Sequence, residues 1–298
     1  MDEIRRYLVE EVALDHADGL INRRDALHRL ALLGVGAAAA STLLAACTKE
    51  GPASSAAPST SAMASGAPAA AAAPTEAIVF AGPEGRKLQG TWAAPAKPRG
   101  AVLVIHENRG LTDHFRAFPG RFAKEGYAAL AIDLLSEEGG TAALGESANA
   151  TAALGKVAPE RFVADMRAGL DELSRRAPGV KLGAIGFCFG GGMTWRLIAA
   201  KDPRLAAAAP FYGPLPDGAD FTGAKTAVLG VYAERDARVN ASREAAKAAL
   251  EKAGLVFEIV TYPGVDHAFF NDTGPRHDAA AAREAWAKVL AWFGRHLA

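Results

Sequence analysis

Three side chains that could together carry out nucleophilic catalysis occur along this 298-residue chain in the order cysteine, acid, histidine. Cys188 is the central residue of a Gly-Phe-Cys-Phe-Gly motif, and Asp236 and His267 lie in later polar loops. A thiol attacks a carbonyl efficiently when an imidazole takes its proton and a carboxylate orients the imidazole. The sequence therefore predicts that the fold brings these three residues together, with His267 as the base.

The motif around Cys188 is typical of a sharp strand-to-helix turn. Gly186 and Gly190, two residues to either side, permit such a turn without side-chain clashes, and the turn lifts the nucleophile above the sheet. At the N-terminus of the following helix, the helix dipole favours the thiolate form. Taken by itself, the motif also fits a buried structural cysteine beside a glycine-rich packing contact.

A second loop predicts where the negative charge of a tetrahedral intermediate is held. The segment His-Glu-Asn-Arg-Gly-Leu at 106–111 directly follows an apolar run. In proteins whose nucleophile lies on such a strand-to-helix turn, the loop after an earlier strand supplies one N–H of the oxyanion hole. The residue after the nucleophile supplies the other. We therefore expect the backbone N–H groups of Asn108 and Phe189 to form that hole.

Hydrophobic patterning predicts the elements that must position these residues. The predicted strands are Ala77–Phe80, Leu88–Ala93, Ala101–Ile105, Ala128–Ile132, Leu182–Ile185, Ala206–Phe211, Ala227–Tyr232 and Phe257–Thr261. The predicted helices are Phe115–Glu125, Pro159–Arg175, Gly190–Ala200, Ser242–Ala253 and His277–His296. Short, continuous apolar runs are typical of strands covered on both faces.

This alternation predicts an α/β fold in which a mostly parallel sheet lies between two layers of helices. The first two strands flank the turn-like Gly82–Gly85 and are expected to form an antiparallel hairpin at one edge. Sites in such sheets lie at the carboxyl ends of the strands. Cys188, Asp236 and His267 each follow a strand closely, in the chain order of the α/β-hydrolase three-layer sandwich.

Composition excludes several other classes. The 33 basic and 33 acidic residues balance, so no nucleic-acid partner is expected. With two cysteines in the chain, a disulfide framework is excluded. None of the seven histidines is paired at a spacing typical of metal ligands, so no metal site is expected.

The N-terminal sequence is typical of a targeting segment, and the chain is predicted to have three regions. Residues 1–47 contain the pair Arg23-Arg24, an uncharged run and Leu-Ala-Ala-Cys47, which resemble a twin-arginine signal and a lipobox whose cysteine is lipidated. Ala26 and His28 depart from the usual twin-arginine pattern. Residues 48–75 form an Ala/Ser/Pro-rich linker, and 76–298 the folded domain. An uncleaved membrane anchor is the alternative; either way, the domain is expected to be exported and membrane-tethered.

Several motifs together resemble the dienelactone hydrolases (carboxymethylenebutenolidases), an α/β-hydrolase branch with a cysteine nucleophile. Besides the cysteine motif and 106–111, they are Glu-Gly-Tyr-Ala-Ala-Leu at 125–130, Asp-Leu-Leu at 133–135, Pro-Phe-Tyr-Gly at 210–213, and Tyr-Pro-Gly at 262–264 with His-Ala-Phe at 267–269. The resemblance covers nearly the whole domain.

The resemblance implies a role for each site residue. Cys188 is implied as the nucleophile, His267 as the general base and Asp236 as the residue that orients it. Glu107 matches a glutamate that lies near the resting thiol and takes part in its activation. The implied reaction is hydrolysis of a small ester or lactone through an acyl-thioenzyme, without cofactor or metal.

The chain departs from that family at the arginines that hold a substrate carboxylate. Asn271 stands where one of them is expected, and Ser136–Lys156 contains no arginine to replace another. Arg109, Tyr212 and Arg238 are the predicted substrate-binding residues, although either arginine could instead be a structural ion-pair partner.

Two other functional classes stay open at this point. One is a thiol redox or peroxide-handling protein in which Cys188 is oxidised, although the chain offers no evident resolving cysteine. The other is a catalytically idle binding module tethered to a membrane. The sequence leaves the oligomeric state open.

Overall fold

The computed structural model describes residues 2–46 and 72–298, and within them eight strands form one sheet. Along the chain the strands are β1 (Glu76–Ala81), β2 (Lys87–Ala93), β3 (Ala101–Ile105), β4 (Ala128–Asp133), β5 (Leu182–Phe187), β6 (Leu205–Phe211), β7 (Ala227–Ala233) and β8 (Phe257–Tyr262). Their spatial order is β1-β2-β4-β3-β5-β6-β7-β8. All eight predicted strands are confirmed, with bounds within two residues.

The sheet is parallel from β4 to β8, and β1 and β2 form the predicted antiparallel hairpin at its edge. Every residue of β3 and β4 is buried, as the continuous apolar runs of both strands require when helices cover both faces. This architecture confirms the predicted α/β-hydrolase sandwich.

The α-helices of the described residues are α1 (Glu3–Ala17), α2 (Arg23–Leu32), α3 (Ala37–Ala46), α4 (Asp113–Arg116), α5 (Phe118–Lys124), α6 (Ser147–Leu154), α7 (Pro159–Arg176), α8 (Phe189–Ala199), α9 (Ala237–Asn240), α10 (Arg243–Ala253) and α11 (Ala279–His296). Helices α7 and α8 pack on each other and on the central strands. Helices α5 and α11 pack on the sheet and meet through the rings of Phe122 and Phe293.

One predicted helix is wrong as a single element. The segment Phe115–Glu125 divides into α4 and α5 at Ala117, and Pro119 lies in the first turn of α5. Proline lacks the N–H that an interior helical residue donates and is tolerated in the first turn of a helix, so a new helix begins there. Helices α6 and α9 were not predicted; α6 is alanine-rich, without a clear apolar stripe, and α9 is a single turn.

The N-terminal helices pack onto the domain. Ile4, Leu8 and Val12 of α1 are buried in the same core as the sheet, and Leu8 and Leu33 contact Gly155 after α6. Arg23 and Arg24 at the start of α2 are exposed. Among the residues that the structure describes, no helix combines the length and apolar character needed to cross a bilayer. Cys47 and most of the predicted linker lie outside the described residues.

Gly190 shows how closely α8 approaches the sheet. A Cβ atom built on Gly190 would lie 2.4 Å from the Ile105 carbonyl oxygen, whereas one on Gly192 would meet nothing nearer than 3.6 Å. We predict that Gly190→Ala lowers the free energy of unfolding by about 1–3 kcal/mol, the usual cost of overpacking. Gly192→Ala, the matched control in the same helix, should change it by less than about 1 kcal/mol. Urea unfolding of the two variants measures the difference, and equal midpoints would contradict the packing described.

Candidate active site

Cys188 lies between β5 and α8 in a backbone conformation that few non-glycine residues adopt. Its φ and ψ are 56° and −118°, and its N–H donates a 3.0 Å hydrogen bond to the Phe211 carbonyl. A Cβ on Gly186 would lie 2.1 Å from the Gly190 carbonyl oxygen, so the turn cannot accept a side chain there. The turn therefore aims the thiol across the carboxyl end of the sheet, as the glycine spacing predicts.

Asp236 and His267 come together at the neighbouring strand ends. Asp236 follows β7 and caps α9 by accepting a hydrogen bond from the Val239 N–H. His267 follows β8, and its Nδ1 lies 2.5 Å from Asp236 Oδ2. Both side chains are almost fully buried. With Asp236 holding Nδ1, the imidazole presents Nε2 towards the thiol side of the site.

Glu107 is held at the edge of the same site by two neutral donors. Asn271 Nδ2 donates to Glu107 Oε2 at 2.8 Å, and the Tyr212 hydroxyl donates to Oε1 at 3.4 Å. Burial raises the pKa of the Glu107 carboxyl, because desolvation disfavours its charged form. Asn271, which stands where the family resemblance predicts an arginine, therefore binds Glu107 through its side-chain amide.

The loop predicted to supply the second oxyanion donor lies beside the thiol. Asn108 lines the same cavity as Cys188, and its carbonyl accepts a 2.9 Å hydrogen bond from the Thr151 hydroxyl of α6. Phe189 opens α8, where backbone N–H groups have no partner within the helix. Helix α6, which was not predicted, therefore fixes the loop that carries Asn108.

Helix α1 brings two further side chains to the thiol. The Tyr7 hydroxyl lies 3.1 Å from Cys188 Sγ, and the Cys188 thiol donates a 3.7 Å hydrogen bond to Glu11 Oε2. The other carboxylate oxygen of Glu11 lies 3.5 Å from His267 Nε2 and is hydrogen-bonded by Arg238. Sequence reasoning missed Tyr7 and Glu11 because it assigned their segment to targeting, and no motif marks them.

These charges set the protonation of the resting site. Burial raises the pKa of the Cys188 thiol, and the Glu11 carboxylate raises it further. Burial alone would lower the pKa of His267, but the carboxylates of Glu11 and Asp236 outweigh it and hold that pKa well above its usual value. Both directions favour a neutral thiol beside a protonated imidazole in the resting pair. This differs from the thiolate expected from the helix dipole alone, because burial and Glu11 act in the opposite direction.

A cavity of about 360 Å³ opens beside the thiol. Cys188, His267, Glu107 and Asn108 line it, together with Glu11 and Asp15 of α1 and the two cations Arg109 and Arg276. Arg276 is held by Asp15 at 3.0 Å and by Asp18 at 2.8 Å, whereas the side chain of Arg109 is half exposed.

The other two predicted substrate-binding residues lie outside the cavity lining. Tyr212 is fully buried behind Glu107, and Arg238 is engaged by Glu11 and stacks on the Tyr7 ring at 4.3 Å. Arg276, which sequence reasoning missed, lines the cavity instead. Its position on the loop after His267 is the signal that could have identified it.

Glu11, Cys188 and His267 also form the one group of potential metal ligands within the described residues, with donor atoms within 4.8 Å of one another. A carboxylate, a thiol and an imidazole suit zinc. The same contacts are accounted for without a metal, since Glu11 already pairs with Arg238 and His267.

The raised thiol pKa predicts how Cys188 reacts with iodoacetamide. The thiolate is the reacting form, so a pKa above the usual value of about 8.5 means that the alkylation rate should still be rising at pH 9. Mass spectrometry of the peptide containing residue 188, over a pH series in which the protein stays folded, measures the rate separately from that of Cys47. A rate that levels off near pH 7 would contradict the protonation described.

Comparison with known proteins identifies the family. The sequence model of the dienelactone hydrolase family matches residues 88–297. A protein from Salmonella typhi assigned as a carboxymethylenebutenolidase is 32% identical over 229 residues, covering 72% of this chain and 84% of its own. One from Escherichia coli K12 with the same assignment is 33% identical over 212 residues, covering 67% and 78%.

A crystal structure from Klebsiella pneumoniae, assigned as a dienelactone hydrolase, superposes with a TM-score of 0.65 at 29% identity. The match covers 75% of this chain and 100% of that one. The fold and these likenesses agree, and this chain belongs to the dienelactone hydrolase family.

Proposed function

We propose that this protein is a cysteine hydrolase of small esters or lactones that works through an acyl-thioenzyme. The observation that carries the proposal is the hydrogen-bonded pair of Asp236 and His267 at the strand ends beside Cys188, on a strained turn that presents its thiol. Membership of the dienelactone hydrolase family and the names of the relatives support the same class of bond.

In the first half-reaction, Cys188 adds to the substrate carbonyl. His267, in its neutral form, takes the thiol proton at Nε2, and Asp236 stabilises the imidazolium that results. The carbonyl oxygen gains the negative charge and is held by the N–H groups of Phe189 and Asn108. When the tetrahedral intermediate collapses, the carbon–oxygen bond of the ester breaks, and His267 returns its proton to the leaving alkoxide.

In the second half-reaction, water replaces the alcohol. Neutral His267 takes a proton from water, the hydroxide adds to the thioester carbon, and the carbon–sulfur bond breaks as the carboxylic acid forms. The thiolate of Cys188 recovers its proton from His267. A water-accessible cavity beside the thiol is compatible with this step.

The cavity supports a small substrate, since about 360 Å³ lies at the low end of the range for small-molecule sites. Its cations are Arg109 and Arg276, whose positions in the sequence differ from those of the arginines expected from the family resemblance. Asn271, bonded to Glu107, is an amide and gives no charge to a substrate carboxylate.

Cys188→Ala should abolish hydrolysis of a short p-nitrophenyl ester, because no other group of the site can form the acyl intermediate. Cys47→Ala, the control, should retain the rate of the parent chain when both are purified and measured as uncleaved full-length proteins. Iodoacetamide should inactivate the wild type in step with alkylation of residue 188. Wild-type rates in Cys188→Ala would contradict the proposed nucleophile.

We further propose that the chain is exported and anchored through a lipid on Cys47. The arginine pair, the uncharged run and the Leu-Ala-Ala-Cys sequence support this proposal. In cells, Cys47→Ala should move the protein from the membrane fraction to the soluble fraction, whereas Cys188→Ala should leave it on membranes. Fractionation with detection of the C-terminal domain measures this, and an unchanged distribution of Cys47→Ala would overturn the lipid anchor.

A further inference from the structure

We propose that helix α1 is a built-in inhibitor of the active site, with Glu11 occupying the position of the carboxylate product. The inference rests on the proposed function for the identity of that product. Helix α1 precedes residues 88–297, the part of the chain that matches the family, so this contact is additional to the catalytic arrangement.

The placement of Glu11 is that of a reaction product. Hydrolysis of an acyl-thioenzyme leaves a carboxylate between the cysteine sulfur and the histidine. Glu11 spans the same two groups, with Oε2 3.7 Å from Cys188 Sγ and Oε1 3.5 Å from His267 Nε2. Tyr7 approaches the sulfur as well, at 3.1 Å. A substrate carbonyl cannot reach the thiol from this side while α1 is in place, and Cys188 is only 3% exposed.

The charge of Glu11 opposes catalysis in a second way. The proposed base must be neutral to accept the thiol proton, yet Glu11 pairs with the imidazolium form of His267 and takes the place of the thiolate as its partner. The raised pKa of His267 and the raised pKa of Cys188 both include Glu11 among their causes. Removing this carboxylate therefore favours both a neutral imidazole and an ionised thiol.

The remaining contacts of α1 show that its position is specific. Arg238 pairs with Glu11 and stacks on the Tyr7 ring, while Arg276 pairs with Asp15. At the helix start, Glu3 accepts a 2.6 Å hydrogen bond from Arg196 of α8. The apolar side of the helix is buried in the domain core. These interactions hold Glu11 at the thiol from both ends of α1.

The prediction that residues 1–47 are a targeting segment suggests when the contact between α1 and the active site would be lost. Cleavage before Cys47, as the lipobox predicts, would separate α1 from the domain and leave its contacts without a covalent tether. The uncut precursor would then have lower activity, because α1 precedes the export motif in the same N-terminal segment and stays attached to the domain.

The test uses the full-length chain in a Cys47→Ala background, so that cleavage at the lipobox does not remove α1. The variants are Glu11→Ala, Glu11→Gln and the control Glu10→Gln, which lies on the same helix and lines a surface groove beside Pro214. Two rates are measured at pH 7.5: alkylation of Cys188 by iodoacetamide, and hydrolysis of a short p-nitrophenyl ester. Thermal unfolding checks that each variant is folded.

We expect Glu11→Ala to raise both rates about tenfold or more, the factor that corresponds to one pKa unit. Glu11→Gln, which keeps the size of the side chain, should raise them in the same direction, and it replaces Glu11→Ala as the test if that variant does not fold. Glu10→Gln should match the parent. Unchanged or lower alkylation and hydrolysis rates in folded Glu11 variants would overturn the inhibitory role and leave the proposed hydrolase intact. Faster alkylation without ester hydrolysis in any variant would support the inhibitory contact and contradict the proposed function.

Discussion

A buried imidazole held between two carboxylates is the interaction on which the rest of this site depends. Asp236 fixes one nitrogen of His267 and Glu11 faces the other, so the ring is almost fully enclosed while its pKa is raised. Desolvation alone would disfavour a charged histidine. The flanking anions reverse that preference, and they are themselves stabilised because Arg238 pairs with Glu11 and the α9 N-terminus bonds Asp236.

The scaffold explains how such a concentration of charge is positioned. Parallel strands end at one edge of the sheet, so loops far apart in sequence converge there. The turn at Cys188 is possible only because Gly186 and Gly190 let backbone approach backbone at distances no side chain allows. The loop of Asn108 is fixed by Thr151 of α6, and Glu107 by Asn271 and Tyr212. The nucleophile, its base and the neighbouring acid are therefore positioned by different elements of one rigid core.

Most of this arrangement was predictable because it depends on local patterns. Apolar runs marked the strands, and glycine spacing marked the turn at Cys188. Helix α6 was not predictable in this way, since an alanine-rich segment carries little periodic signal. The contact between Glu11 and Cys188 was not predictable for another reason, because it joins residues 177 positions apart in sequence. Its segment, which also resembles a targeting signal, packs onto the domain through buried residues such as Leu8 and Val12.

The account makes Cys188 the residue that carries the acyl group, and trapping that intermediate tests it most directly. Full-length protein is mixed with an ester that acylates faster than it deacylates, quenched in acid and digested for mass spectrometry. We predict that the peptide containing Cys188 gains the mass of the acyl group and loses it on treatment with hydroxylamine, as a thioester does. Ester turnover with an unmodified Cys188 peptide, or with the acyl group on another residue, would contradict the account.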